Sequence, residues 1–329
     1  MRPHVAVFSF ENDLHALAVR QAVESEEDLV CHIVETDRLC DRSGLNWSSL
    51  AHDGRSCTLP AREGALVDVA GLDAIWWRRP HFPQQIPPDV TDPVDVEMIN
   101  NECLTALSGV LLNEFSGVWI NHPVPNNLAA NKLVQLRAAE EAGFRIPRTL
   151  VSQDPERIKN FCAELDGRVV VKRVRGTTKA QLLTGLMTTD SLAPDETFRL
   201  CPTMYQEYVP GRRHVRAHCF GDDVYAALIE SESLDWRDDL SVPVSVFHLA
   251  DADKARLLAV VRRLGLEMGV IDLKLTDDGP PVWLEINPQG QFLFVEALCG
   301  LALIQGFARF LASAAERGRS ARRRSAGAA

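Results

Sequence analysis

The feature that most constrains this chain is a pair of short apolar strands near its C-terminal end, joined by a turn tight enough to force antiparallel pairing. Val270-Ile271-Asp272-Leu273-Lys274-Leu275 runs into Asp277-Asp278-Gly279, and Val282-Trp283-Leu284-Glu285-Ile286-Asn287-Pro288 follows. Period-two alternation places Glu285 and Asn287 on one face and lets Asp272 join them from the partner strand. Carboxylates gathered in this way repel one another unless a cation lies between them. Hard oxygen ligands with room left for phosphate oxygens suit magnesium. The competing reading is a solvated polar face balanced by Lys274. An apolar strand running into Glu-Ile-Asn-Pro is a poor way to build such a face, so a metal-binding hairpin is the expectation.

A chain of 329 residues is longer than one hydrophobic core usually serves, so two or three domains are expected. The formal net charge of -10 argues against a general nucleic-acid binder, which needs a basic face to neutralise phosphates. No apolar run approaches the roughly 20 residues of a membrane-spanning helix. Met1-Arg2-Pro3-His4 leads into a strand rather than a signal peptide, which points to the cytoplasm. The eight cysteines are scattered without a C-x-x-C pair, so reduced thiols are expected rather than a zinc framework.

The first part of the chain reads as an open α/β domain. Val5 to Phe10 is strand-like, Asp13 to about Glu24 is helical, and Leu29 to Val34 is a second strand, which makes a βαβ opening. The apolar run Ala74-Ile75-Trp76-Trp77 ends in Arg78-Arg79-Pro80, whose arginines should project at the strand C-termini, the ligand edge of such a sheet. A helix over 94–112 and a strand over 118–121 close this segment at residue 122. After a proline-marked linker, Asn126 or Asn127 can cap a helix running to Glu141, with Gly143 as its stop. A strand at 149–151, a helix opened by Asp154-Pro155 and the strand ending at Lys172 follow. The expected segments are 1–122, 123–203 and 204–315, the last holding a helix over 251–268 and another over 301–314. The small, Arg-rich stretch 316–329 is expected to be a disordered tail.

Leu284 to Phe292, LEINPQGQF, preceded by GVIDLKL at 269–275, resembles the magnesium-binding signature of the ATP-grasp superfamily. Within that superfamily it resembles the microviridin-type, or graspetide, ligases that macrocyclise ribosomal peptides. The resemblance implies an ATP-grasp fold, with an open α/β domain preceding two segments that clamp ATP. It implies magnesium ligands at Asp272, Glu285 and Asn287. Lys132 matches the first phosphate-side lysine and Lys172, closing the strand VVVK, the second. Both would act as point charges; the alternative is two surface lysines. Arg173 to Lys179 occupies the place of the phosphate-covering loop. Gln206-Glu207-Tyr208-Val209 matches the hinge that holds adenine, with Tyr208 or Val209 presenting an amide. His214 stands where many relatives carry an acidic ribose contact. Arg216 matches the arginine that holds the transferred phosphate, and Asp235-Trp236-Arg237 matches an element of the peptide-macrocyclising branch, with Arg237 orienting a carboxylate or phosphate. The competing reading makes Trp236 a core residue and Arg237 half of a surface pair. Trp77-Arg78-Arg79-Pro80 also resembles that branch, where it would meet the substrate.

The implied activity is ATP-dependent ligation. Asp or Glu side chains of a precursor peptide (leader plus core) are activated as acyl phosphates and closed into ω-ester or ω-amide rings by Ser, Thr or Lys. A ligase joining separate small molecules and a non-catalytic ATP-binding module are the alternatives. The partners implied are the peptide, ATP and Mg2+, with neither nucleic acid nor membrane; dimers, common among such relatives, enter by analogy.

Overall fold

A computed structural model describes residues 2–41, 44–49, 57–80, 83–174, 185–187, 193–239, 241–277 and 279–326. The chain divides into two units, Met1–Pro123 with Ala302–Ala329, and Val124–Leu301.

In the first unit β1 (His4–Ser9), α1 (Leu14–Glu26) and β2 (Val30–Glu35) form the expected βαβ opening, with β1 and β2 parallel. The small antiparallel sheet of β3 (Asn46–Trp47), β4 (Cys57–Pro60) and β5 (Leu66–Asp68) was not expected, because strands this short show no legible alternation. β6 (Ala74–Trp77), α2 (Pro93–Glu114) and β7 (Val118–Ile120) complete a parallel sheet of order β2-β1-β6-β7. Parallel sheets are covered on both faces, and Val5 to Phe8 and Ala74 to Trp76 are accordingly without exposure. Asp13 caps α1 by accepting from the His15 amide, and Asp92 caps α2 with Pro93 in its first turn. Only one of the two arginines after β6 projects. Arg78 is buried and ion-paired with Asp13 at 3.4 Å, whereas Arg79 is exposed.

The second unit opens on α3 (Pro123–Ala129) and α4 (Lys132–Glu141), where a single helix was expected. The break comes from Asn131, whose side chain accepts from the Leu133 amide and starts a new helix. Gly143, at φ +85°, ends that helix as expected. β8 (Thr149–Ser152), α5 (Pro155–Glu164), β9 (Val169–Lys172), β10 (Gly185–Met187), α6 (Asp195–Phe198) and β11 (Thr203–Glu207) follow, with a sheet of order β10-β9-β11-β8. β12 (Arg213–Phe220), β13 (Asp223–Glu230), β14 (Val244–Val246), α7 (Asp251–Arg263), β15 (Met268–Leu275) and β16 (Val282–Asn287) build the second sheet, of order β14-β13-β12-β15-β16, antiparallel throughout. α7 stops short of the expected Met268 because Gly265 takes φ +69°. The expected division near residue 203 does not split the core, since Leu136 and Met204 share one apolar cluster with Val215, Leu257 and Trp283. α8 (Leu293–Cys299) was not expected either.

The last helix, α9 (Leu303–Ala326), belongs to the first unit. It corrects the expected disordered tail, because its helix continues through 316–326 and Arg322 pairs with the buried Asp73. Composition misled here: Arg and small residues also suit an amphipathic helix end. None of the described helices is long and apolar enough to cross a membrane. All eight cysteines are free thiols, as expected, and burial drives the Cys57 thiol up to about 11.

Candidate active site

The register of the second sheet assembles the site. Arg216 faces Asp272 across β12 and β15, and Asp272 faces Glu285 across β15 and β16. A β-bulge between Asp272 and Leu273 brings Leu273 opposite Trp283, so that the indole fills the core while the carboxylates stay in one row. One step along β12, His214 faces Lys274.

Two lysines reach this row from other elements. Lys132, at the capped start of α4, places its Nζ 2.9 Å from Oε2 of Glu285. Lys172, at the end of β9, is close enough to feel the charges of Glu285, Lys132, Arg237 and Asp235. Burial pushes its ammonium pKa down, and Glu285 opposes that shift. Burial alone would push the Glu285 carboxyl up, but Lys132 and Lys172 hold it at about 2. Asp272 moves the other way. Burial and the neighbouring Glu285 raise it although Arg216 Nη1 lies 2.8 Å from both of its oxygens.

The arginines are held as firmly as the carboxylates. Arg216 stacks over the rings of Trp236 at 5.5 Å and Phe294 at 5.6 Å and donates from Nη2 to the Gln291 carbonyl. Arg237 forms a two-pronged pair with Asp235, Nε to Oδ1 at 2.7 Å and Nη2 to Oδ2 at 2.5 Å. Four cations thus meet the three carboxylates Asp235, Asp272 and Glu285, and the surplus positive charge suits an anionic ligand.

The expected metal ligands are Asp272, Glu285 and Asn287. Asp272 and Glu285 adjoin across the ladder; Asn287, exposed at the end of β16, has its Oδ1 accepting from the Gln289 amide. Among the described residues no group of three or more His, Cys, Asp or Glu is arranged for a metal. Two carboxylates plus an amide, with remaining positions open to phosphate oxygens and water, fit magnesium, which retains such ligands, rather than a transition metal.

The hinge residues sit at the end of β11. Gln206 is buried and donates from Nε2 to the Thr149 hydroxyl; Glu207 accepts from Arg145 and from the Arg148 amide. Both side chains are therefore engaged within their own sheet region. Of the two expected amides, that of Tyr208 already donates to the Arg168 carbonyl, which narrows the expectation to Val209. His214 is buried with its Nε2 2.8 Å from Lys274 Nζ; burial and the Lys274 charge hold its pKa down at about 4. Of the expected covering loop, Arg173 and Val174 are described, while residues 175–179 lie outside the described residues.

The sequence reading missed Asp235 as a partner, Phe294 and Gln135. Asp235 was legible in the Asp-x-Arg spacing, whereas Phe294 lies on a helix whose packing shows no local pattern.

The fold is that of the ATP-grasp ligases. No protein-family model and no curated protein matches the chain. Among solved structures it is similar to the macrocyclase MdnC bound with precursor peptide MdnA from Microcystis aeruginosa MRC, at 25% identity and a TM-score of 0.82 over 94% of this chain and 99% of that one. It is also similar to a Chryseobacterium gregarium RiPP-associated ATP-grasp ligase in complex with ADP and a leader and core peptide, at 21% identity and a TM-score of 0.83 over 96% and 98%. A third likeness is to the ATP-grasp ligase PsnB complexed with minimal precursor, Mg and ADP, at 22% identity and a TM-score of 0.75 over 95% and 98%. Within the ATP-grasp class the chain's likeness is thus to the graspetide-type macrocyclases.

Proposed function

We propose that this protein closes macrocycles in a ribosomally made precursor peptide, joining Asp or Glu side chains to Ser, Thr or Lys side chains at the expense of ATP. The observation that carries this is the convergence of Lys132 and Lys172, from two separate elements, on the Asp272 and Glu285 row beside Arg216 and Arg237. Similarity to peptide-bound macrocyclases over nearly the whole chain supports it.

A carboxylate does not acylate an alcohol or amine at neutral pH unless its oxygen is first made a leaving group. Bound ATP supplies the phosphoryl group, and magnesium held by Asp272, Glu285 and Asn287 would neutralise charge on the β- and γ-phosphate oxygens. Lys132 and Lys172 act as point charges on the phosphates and need no fork geometry. Arg216, fixed between two rings, and Arg237, fixed by Asp235, orient the substrate carboxylate toward the phosphoryl group and stabilise the charge that develops there. The main chain at Val209 would hold the adenine of bound ATP, with the side chains of Gln206, Glu207 and Tyr208 shaping that stretch, and His214 would be the residue offered to its sugar. A hydroxyl or amine of the same peptide then displaces phosphate from the acyl group and closes the ring. A homodimer and a cytoplasmic location belong to the same reading.

Incubation of the protein with a precursor peptide rich in Thr, Ser, Asp and Glu, ATP and magnesium should release ADP and remove one water from the peptide per ring, as read by mass spectrometry. ADP release without peptide, or dehydration without magnesium, would exclude this function.

A further inference from the structure

We infer that Gln135 is a positioning residue that sets the reach of Lys132 toward the nucleotide phosphates; the inference rests on the reading of Lys132 given above. Among the described residues β16 is the last strand of its sheet, and no further strand pairs with the main-chain groups of its outer edge. At Ile286 a single side chain takes both groups. The Ile286 amide donates to Gln135 Oε1 at 3.1 Å, and Gln135 Nε2 donates to the Ile286 carbonyl at 2.9 Å. The same Nε2 donates to the Ala129 carbonyl at 2.7 Å. The side-chain amide behaves here like a peptide unit of a missing strand, and it ties α3, α4 and β16 at one point.

That point lies next to the chemistry. Ile286 adjoins Glu285 in sequence, and Gln135 is one helical turn beyond Lys132, so the two side chains share a face of α4. A lysine reaches its target on a flexible four-carbon stem. Its ammonium is placed as well as its helix is placed. Simple packing does not need an amide here, because Leu136 and Ala139 already supply the apolar contact and burying an amide costs free energy unless every group is bonded. The rest of the edge is held independently: the Trp283 amide donates to the Arg145 carbonyl at 2.9 Å, and Gln289 Nε2 donates to Asn126 Oδ1 at 3.2 Å. Loss of Gln135 therefore leaves the helix attached while releasing its register against Glu285.

The test is isothermal titration of the full chain with magnesium and AMPPNP. Gln135→Met, of similar shape without the bonds, should bind about tenfold more weakly, the scale of one charge-assisted hydrogen bond to phosphate. Lys132→Ala should lose a similar factor, and the double variant should be no weaker than Lys132→Ala alone. Arg137→Ala, on the exposed face of the same helix, should bind as the wild type does. Gln135→Leu, which also removes the bonds without adding charge, should show the same loss and serves in place of the Met variant should that one fail to fold. Wild-type affinity in the Gln135 variants beside a weakened Lys132→Ala overturns the inference alone, as does a double variant that shows the product of both losses. Wild-type affinity in Lys132→Ala overturns the phosphate reading and this inference with it.

Discussion

At Glu285 function and stability separate. Its pairing with Lys132 is about a quarter exposed on both sides, so breaking it costs the fold on the order of 1–3 kcal/mol. Under the proposed function its place opposite Asp272 serves to hold the metal. Glu285→Ala should therefore lower ligation by more than about a hundredfold while the thermal midpoint moves by only a few degrees. Near-wild-type turnover in that variant would remove the metal assignment. His214 gives a pH prediction. Burial, reinforced by Lys274, lowers its pKa from an ordinary 6.5 to about 4, so the folded state binds the proton more weakly than the unfolded chain. The resulting stability is complete above pH 6.5 and is lost as pH falls toward 4, on the order of 3 kcal/mol. His214→Gln should flatten the acid limb of a urea-denaturation series over that interval, and an unchanged slope would refute the assignment. Asp272 and Glu285 were legible because one tight turn and period-two alternation bring them together, whereas Arg216 was singled out by the family resemblance. The His214–Lys274 contact was not, since pairing between β12 and β15 joins positions 60 residues apart.

Among the elements, α9 is the one composition misjudged. Leu303, Phe307, Leu311 and Ala314 recur on one buried face, and Phe307 packs on Trp76 with ring centroids 4.5 Å apart. Further along, Gly318 lies so close to the backbone of Asp73 that a Cβ would collide with its carbonyl oxygen. Arg322 then pairs with the Asp73 carboxylate and donates to the Ala70 carbonyl at 2.7 Å. Gly318→Ala should destabilise by about 1–3 kcal/mol through that overlap. Arg322→Ala should cost about 2 kcal/mol by leaving the buried Asp73 one cation short. A truly disordered tail would show neither effect in denaturant melts. The hairpin of β15 and β16 was readable because its alternation and turn are local. The break between α3 and α4 was readable only in part, since several asparagines compete for the cap and packing chooses Asn131.

For the whole molecule, the first unit is discontinuous and the second is not. A chain ended at Leu301 would strip the first unit of Leu303, Phe307 and Leu311 yet leave the second unit's core residues in place. Calorimetry of that truncated chain should show the transition of residues 124–301 retained and that of the first unit lost or shifted far down. A single unchanged transition would show that α9 contributes nothing to folding.

By itself the sequence determined the α/β character and the antiparallel hairpin of β15 and β16, because alternation, turn chemistry and caps act over a few residues; the resemblance to ATP-grasp ligases singled out Lys132, Lys172, Arg216 and Arg237. Only the tertiary structure decided which cations meet which carboxylates, that Gln135 closes the edge of β16, and that the last helix completes the first unit. Most of those outcomes depend on contacts between segments distant in sequence, 56 residues for Arg216 and Asp272 and 151 for Gln135 and Ile286, and no local pattern encodes such a meeting.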